Sequence, residues 1–132
     1  MQIDYLNPAG LAKPAGYSHV TVVQAARLVH VSGQVALNGE GKVVGRGDLA
    51  AQAEQVYANL ATALAAAGAG FKDVIKVVTY VVELSPDKAV AVRGVRNRHL
   101  GDGPYPASTM VGVTSLVNPD LLIEVEVVAA IG

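Results

Sequence analysis

Near the end of the chain, the run Leu122-Ile123-Glu124-Val125-Glu126-Val127-Val128 sets two carboxylates, two residues apart, into an otherwise apolar segment. Side chains of a strand alternate between its faces, so Glu124 and Glu126 share one of them. A carboxylate there can act as a general base wherever it lies within hydrogen-bond reach of a water. The pattern leaves two placements open: a central strand that turns at least one acid toward a cleft or a partner, or an edge strand that leaves both in solvent. Tyr17, just after the Pro14–Gly16 turn, is open in the same way, between a packed ring and a hydroxyl lining a pocket.

Several other chemistries are excluded. There is no cysteine, hence no disulfide, thiolate metal site or cysteine nucleophile. His19, His30 and His99 show no metal-ligand spacing, and no metal is expected. Ser32, in Val31-Ser32-Gly33-Gln34, lacks the strained G-x-S-x-G elbow of a nucleophilic serine. Gly39-Glu40-Gly41-Lys42 departs from a phosphate loop because Val43 stands where Ser or Thr is required. Gly68-Ala69-Gly70 follows a helix rather than a strand, so it is no dinucleotide fingerprint, and no cofactor is expected. The closest approach to a basic cluster is Arg93, Arg96 and Arg98, which reads as a solvated helix face. With a net charge of −1, the chain offers little of the phosphate attraction that drives nucleic-acid binding.

The elements that must position these residues follow from periodicity. Residues 1–16 carry Pro8, Gly10, Pro14 and Gly16 and read as an irregular arm. His19–Gln24 and Leu28–Ser32 are β-rich and, with the short Ala25-Ala26-Arg27 connection, predict a hairpin. Between Asp48 and Ala67, apolar positions at Leu49, Ala53, Val56, Leu60, Leu64 and Ala67 form one helical stripe, with Asp48 as N-cap and Gly68 just past the end. Val74–Val82 is a β-branched central strand. A second helix starts at Ser85-Pro86-Asp87, where Ser caps and Pro fits the first turn, and ends near Leu100. Strands at about Ser108–Val113 and Leu121–Ala129 complete a ββαβαββ order, an α+β fold with one mixed sheet and both helices on one face.

A length of 132 residues suits a single domain, 1–132. At 52% hydrophobic and 16% charged residues, the chain is apolar for a monomer, and the sheet face that two helices leave bare calls for a second copy. The start Met1-Gln2-Ile3-Asp4-Tyr5 has neither the basic nor the apolar stretch of a signal peptide, and no run is long enough to span a membrane. A cytoplasmic location without membrane contact is expected.

Taken together, these residues resemble the RidA (YjgF) family. Gly16-Tyr17-Ser18-His19, Val31-Ser32-Gly33-Gln34, Gln52 with Asn59-Leu60 and the helix end Ala67-Gly68, Asp73-Val74-Ile75-Lys76, Pro106-Ala107-Ser108 and Ile123-Glu124-Val125-Glu126 stand in that family's order and approximate spacing. The resemblance implies a chorismate-mutase-like fold, a homotrimer with its sheets turned inward, and clefts between adjacent subunits that hold a small-molecule ligand. It further implies hydrolysis of an enamine or imine with release of ammonia. Glu124 resembles the carboxylate that holds the attacking water, and Tyr17, Ser32, Gly33, Ala107 and Ser108 the binding residues around it.

Archetypal members carry an arginine after the Pro-Ala pair that clamps the substrate carboxylate, and here that position is Ser108. A hydroxyl offers one uncharged donor in place of a rigid cationic fork. The helix asparagine that often lines the archetypal cleft falls at Ala91. An arginine-lacking branch is implied: an enamine/imine deaminase other than the archetypal 2-aminoacrylate enzyme, or a binding trimer without turnover. Endoribonuclease activity, attached to some relatives, is disfavoured by the near-neutral charge and by only five Tyr and one Phe.

Overall fold

The computed structural model describes all residues, Met1–Gly132. In chain order the elements are β1 (Ile3–Leu6), β2 (Val20–Val23), β3 (Arg27–Val35), α1 (Leu49–Ala66), β4 (Val74–Val82), α2 (Pro86–Leu100), β5 (Ala107–Val113) and β6 (Ile123–Ile131), with a 3₁₀ turn at Phe71–Asp73 leading into β4. No helix is long and apolar enough to cross a membrane.

Four strands form a mixed sheet in the order β3-β6-β4-β5. β4 and β5 are parallel, a pairing that needs a crossover, and α2 is that crossover. β6 is antiparallel to both of its neighbours. Strand alternation turns Ile123, Val125 and Val127 of β6 and Val77 and Val81 of β4 onto the helices, where they meet Val56, Leu60 and Leu64 of α1 and Val92 and Val95 of α2. The opposite face, carrying Glu124, Glu126, Tyr80 and Lys76, has no helix over it; Leu28 on β3 and Val111 on β5 remain 56% and 39% exposed.

The helices begin as their capping residues dictate. The Asp48 carboxylate accepts from the Ala51 N–H at 3.1 Å, and the Ser85 hydroxyl accepts from the Lys88 N–H with Pro86 in the first turn. Gly68, at φ +75°, takes the left-handed conformation just beyond α1.

Two expectations are corrected. β2 and β3 are not a hairpin: β2 pairs with β1 in a separate two-stranded ribbon, and β3 pairs with β6. The arm is likewise not irregular throughout, since Ile3–Leu6 is a strand. Both arise because pairing partners far apart in the chain outcompete the local one, and local pattern carries no record of them. The ribbon is tied to the main sheet through Ser18, whose N–H donates to the Pro106 carbonyl at 3.1 Å and whose hydroxyl donates to the Tyr105 carbonyl at 2.6 Å.

Candidate functional site

Arg96 is the residue that sequence reading misplaced most. Read as part of a solvated helix face with Arg93 and Arg98, it is only 4% exposed, and Arg93 is half-buried beside it; Arg98 alone is exposed. Ala89, Arg93 and Arg96 follow the helical repeat of three and four, so all face the cleft between α2 and β5. There they line a cavity of about 370 Å³ together with Tyr17, Ser108 and Met110. The Ala91 position, expected to look into the cleft, is exposed on the outer side of α2 and does not line it. Spacing from Ser85 could have shown this, since Ala89, Val92, Val95 and Arg96 define the inward face of α2.

The Arg96 guanidinium is held from three sides. Its Nη2 donates to the Gly16 carbonyl at 2.8 Å, its Nε to Asn97 Oδ1 at 3.3 Å and its Nη1 to Ser108 Oγ at 3.4 Å. Gly16 has φ +76°, and a Cβ there would lie 2.7 Å from Arg96 Nη2, so glycine is required both by the turn and by the arginine. This contact holds the arm against α2 and sets Tyr17 at the cavity. Burial pulls the Arg96 pKa below its ordinary value; Tyr57 acts against this, and the charge of Arg93 adds more weakly to the lowering. Arginine starts so high that it remains charged at neutral pH. Ala107 is not on the cavity wall; it opens β5, where it bridges to Ser18.

The second group of residues lies on the bare face. Between the pairs Val31–Val127 and Gln34–Val125, Ser32 and Gly33 of β3 stand opposite Glu126 alone, a two-against-one bulge. The Glu124 side chain lies across Gly33, where an added Cβ would come within 2.7 Å of the Glu124 Cδ. Ser32 is exposed beside it. Glu126 accepts a hydrogen bond from the Tyr80 hydroxyl at 2.6 Å, whereas no hydrogen bond or ion pair within the chain engages the Glu124 carboxylate.

Two buried amides hold this region in place. Gln52 of α1, fully buried, donates to the carbonyls of Gly45 and Asp120 and accepts from the Leu122 N–H at 2.8 Å, which fixes the entry into β6 two residues before Glu124. Asn59 donates to the carbonyls of Val35 and Leu37 and so fixes the end of β3 beyond the bulge. His19, His30 and His99 lie apart: His19 meets the Ala12 carbonyl, His99 stacks on Tyr57, and His30 is exposed.

The residues singled out from sequence therefore form two clusters rather than one. Tyr17 and Ser108 join Arg93 and Arg96 on the helix side of the sheet. Glu124, Ser32 and Gly33 gather on the other side, and the sheet itself separates Ser108 from Glu124 within one chain.

Comparison with known proteins places this geometry. Residues 9–131 match the family model described as Endoribonuclease L-PSP. A crystal structure of the Rid-family protein YyfB from Yersinia pestis, described as of unknown function, superposes with a TM-score of 0.93 at 37% identity, covering 99% of this chain and 100% of that one. The RutC family protein YjgH of Escherichia coli is 32% identical over 89% of this chain and 86% of its own length. A 2-iminobutanoate/2-iminopropanoate deaminase of Dermatophagoides farinae is 28% identical over 71% of each chain.

Proposed function

Because this chain belongs to the RidA (YjgF) family, which also carries the description Endoribonuclease L-PSP, we propose that it is a hydrolytic deaminase of a small enamine or imine metabolite, working in a cleft between copies of itself. The observation that carries this reading is the opposition of Ser108 and Glu124 across the sheet. One cluster has cations and no acid, the other an acid with no cation. A homotrimer that packs the bare face of one copy against the cavity side of the next completes each site from two chains.

In such a cleft, Tyr17, Ser108 and the α2 arginines hold the ligand, and the bulge at Ser32-Gly33 forms the floor under Glu124. Water adds to the C=N carbon while the Glu124 carboxylate takes one of its protons. Return of that proton to nitrogen gives a carbinolamine, and passage of its hydroxyl proton to the nitrogen, again by way of the carboxylate, lets the C–N bond break, releasing ammonia and leaving a carbonyl. An enamine first takes a proton on carbon and gives one up from nitrogen to become the imine. The archetypal 2-aminoacrylate substrate is not favoured, since the strand arginine is replaced by Ser108 and Arg96 is partly engaged by the Gly16 carbonyl.

Complementation tests the shared site. Ser108→Trp blocks the cavity and Glu124→Gln removes the base, so each variant alone is expected to release no ammonia from an imine that the wild type hydrolyses. Refolded together, they regain activity at roughly a quarter of the clefts, since random assembly pairs one intact half from each. A mixture as inactive as its components excludes a site made from two chains.

A further inference from the structure

Of the five N–H groups that a guanidinium carries, Arg96 has three engaged, two of them at 3.3 and 3.4 Å. Such long contacts to neutral acceptors give way readily to a charged one. Arg93 looks into the same cavity, and neither arginine has an acidic partner. The ion pairs of the chain lie elsewhere, at Lys42–Glu40, Arg46–Asp120 and around Glu54 with Arg98 and His99. The cavity wall holds no carboxylate, and its remaining polar groups, Ser108 and Tyr17, are neutral donors and acceptors. A nearly buried guanidinium without a counter-ion carries an uncompensated desolvation cost, which an anion entering the cavity relieves.

We propose that this cavity receives the doubly charged anionic head of the ligand, a phosphate monoester or a dicarboxylate, with Arg93 and Arg96 as its two cationic walls and Ser108 as a third donor. The proposal rests on the reading that the cavity is the ligand-holding half of the site. Two guanidiniums facing one space match two negative charges; a single carboxylate leaves one of them unpaired. Arg96 is at once a ligand contact and the post that holds the Gly16 turn, whereas Arg93 is free to serve the ligand alone. Arg93 is therefore the residue that sets specificity for the second charge.

Calorimetric titration of the full chain with inorganic phosphate, malonate and acetate at matched ionic strength tests this. Phosphate or malonate is expected to bind at least about tenfold tighter than acetate, the discrimination that one added charged hydrogen bond supplies. Tighter phosphate identifies a phosphate monoester as the source of the head; tighter malonate identifies a dicarboxylate. Arg93→Gln is expected to bring the favoured dianion down to the acetate level without changing assembly, and Glu124→Gln to leave dianion binding unchanged. Acetate binding as tightly as both dianions, or Arg93→Gln binding the dianion like wild type, overturns the proposal. Dianion selectivity with no ammonia released from any imine bearing such a head defeats the deaminase reading alone. Ammonia release from an imine bearing such a dianionic head that Arg93→Gln does not slow defeats this proposal alone.

Discussion

The hydroxyl of Tyr80 donates to Glu126 across 2.6 Å, and this one contact separates two acids that strand alternation made equivalent. Tyr80 stands beside Glu124 in the β4–β6 register, yet its hydroxyl reaches to Glu126. Glu126 is thereby occupied, and Glu124 is left to engage water. Glu124→Gln is expected to lower imine hydrolysis by about 10²–10⁴-fold with assembly intact, while Glu126→Gln and Tyr80→Phe do far less. Initial rates of ammonia release for the three variants decide it; equal losses for the two glutamates would mean that the wrong carboxylate has been assigned.

Gly33→Ala probes the same carboxylate from the opposite strand. A methyl at position 33 overlaps the space that the Glu124 side chain occupies, and the flexible side chain moves more easily than the backbone of the bulge. The variant is expected to fold and assemble normally while losing activity to nearly the extent of Glu124→Gln. A crystal structure of the variant should show the carboxylate displaced. Wild-type turnover in Gly33→Ala would detach the bulge from the site.

Assembly is the simplest measurement. Light scattering is expected to report about three chain masses at all practical concentrations, because the bare sheet face, with Leu28 and Val111 exposed, calls for a second copy to cover it. A monomer at every concentration would leave Glu124 and the arginine cavity permanently separated.

Tyr57 offers a stability test away from the site. It is 1% exposed, stacked on His99 and tilted against Phe71, and its hydroxyl has no hydrogen-bond partner. Burial pushes its pKa well up, with nearby Arg96 acting weakly the other way. A tyrosine whose pKa is raised by folding holds its proton more tightly in the native state. Its contribution is complete below the ordinary tyrosine value of about 10 and is lost as pH climbs toward the folded value. Tyr57→Phe keeps the ring stack and removes the unpaired hydroxyl, so the melting temperature at neutral pH is expected to hold or rise, by up to about 1 kcal/mol of stability. Above about pH 10 the advantage over wild type should widen. Thermal melts across that range measure both, and a variant that melts lower at neutral pH points to a partner for the hydroxyl.

Activity on 2-aminoacrylate should be weak beside that of an arginine-containing relative, since its single carboxylate finds Ser108 where the strand arginine would stand. Ser108→Arg is expected to restore it only in part, because the added side chain enters a cavity that already holds Arg93 and Arg96. Imine decay followed under identical conditions compares the three proteins.

Much of the scaffold was written locally. The bounds of β4, the Asp48 and Ser85 caps and the shared face of Glu124 and Glu126 each depend on a few adjacent residues, and each could be read in sequence. The pairing of β2 could not, because its partner β1 precedes it by a long arm, and the adjacent β3 looked equally suitable. The burial of Arg96 was hidden for a similar reason: its best acceptor, the Gly16 carbonyl, lies 80 residues away. A charged residue on an amphipathic helix is read as solvated until the chain segment that covers it is known. The bulge at Ser32-Gly33 left only one trace in sequence, a glycine within a strand, and that signal does not name the side chain lying across it.

The position of β6 bears on how the protein is made. Of the sheet's four strands β6 is synthesised after the others, and both β3 and β4 must pair with it, so the two halves of the sheet have no edge in common until the segment 123–131 has emerged from the ribosome. Everything earlier emerges as helices without a completed sheet to pack on and strands with open hydrogen-bonding edges. Closure is therefore a late, long-range event of the kind that slows folding and exposes nascent chains to chaperones. A ribosome-stalled chain ending before Ile123 should remain protease-sensitive, and resistance should appear in one step once β6 has cleared the exit tunnel.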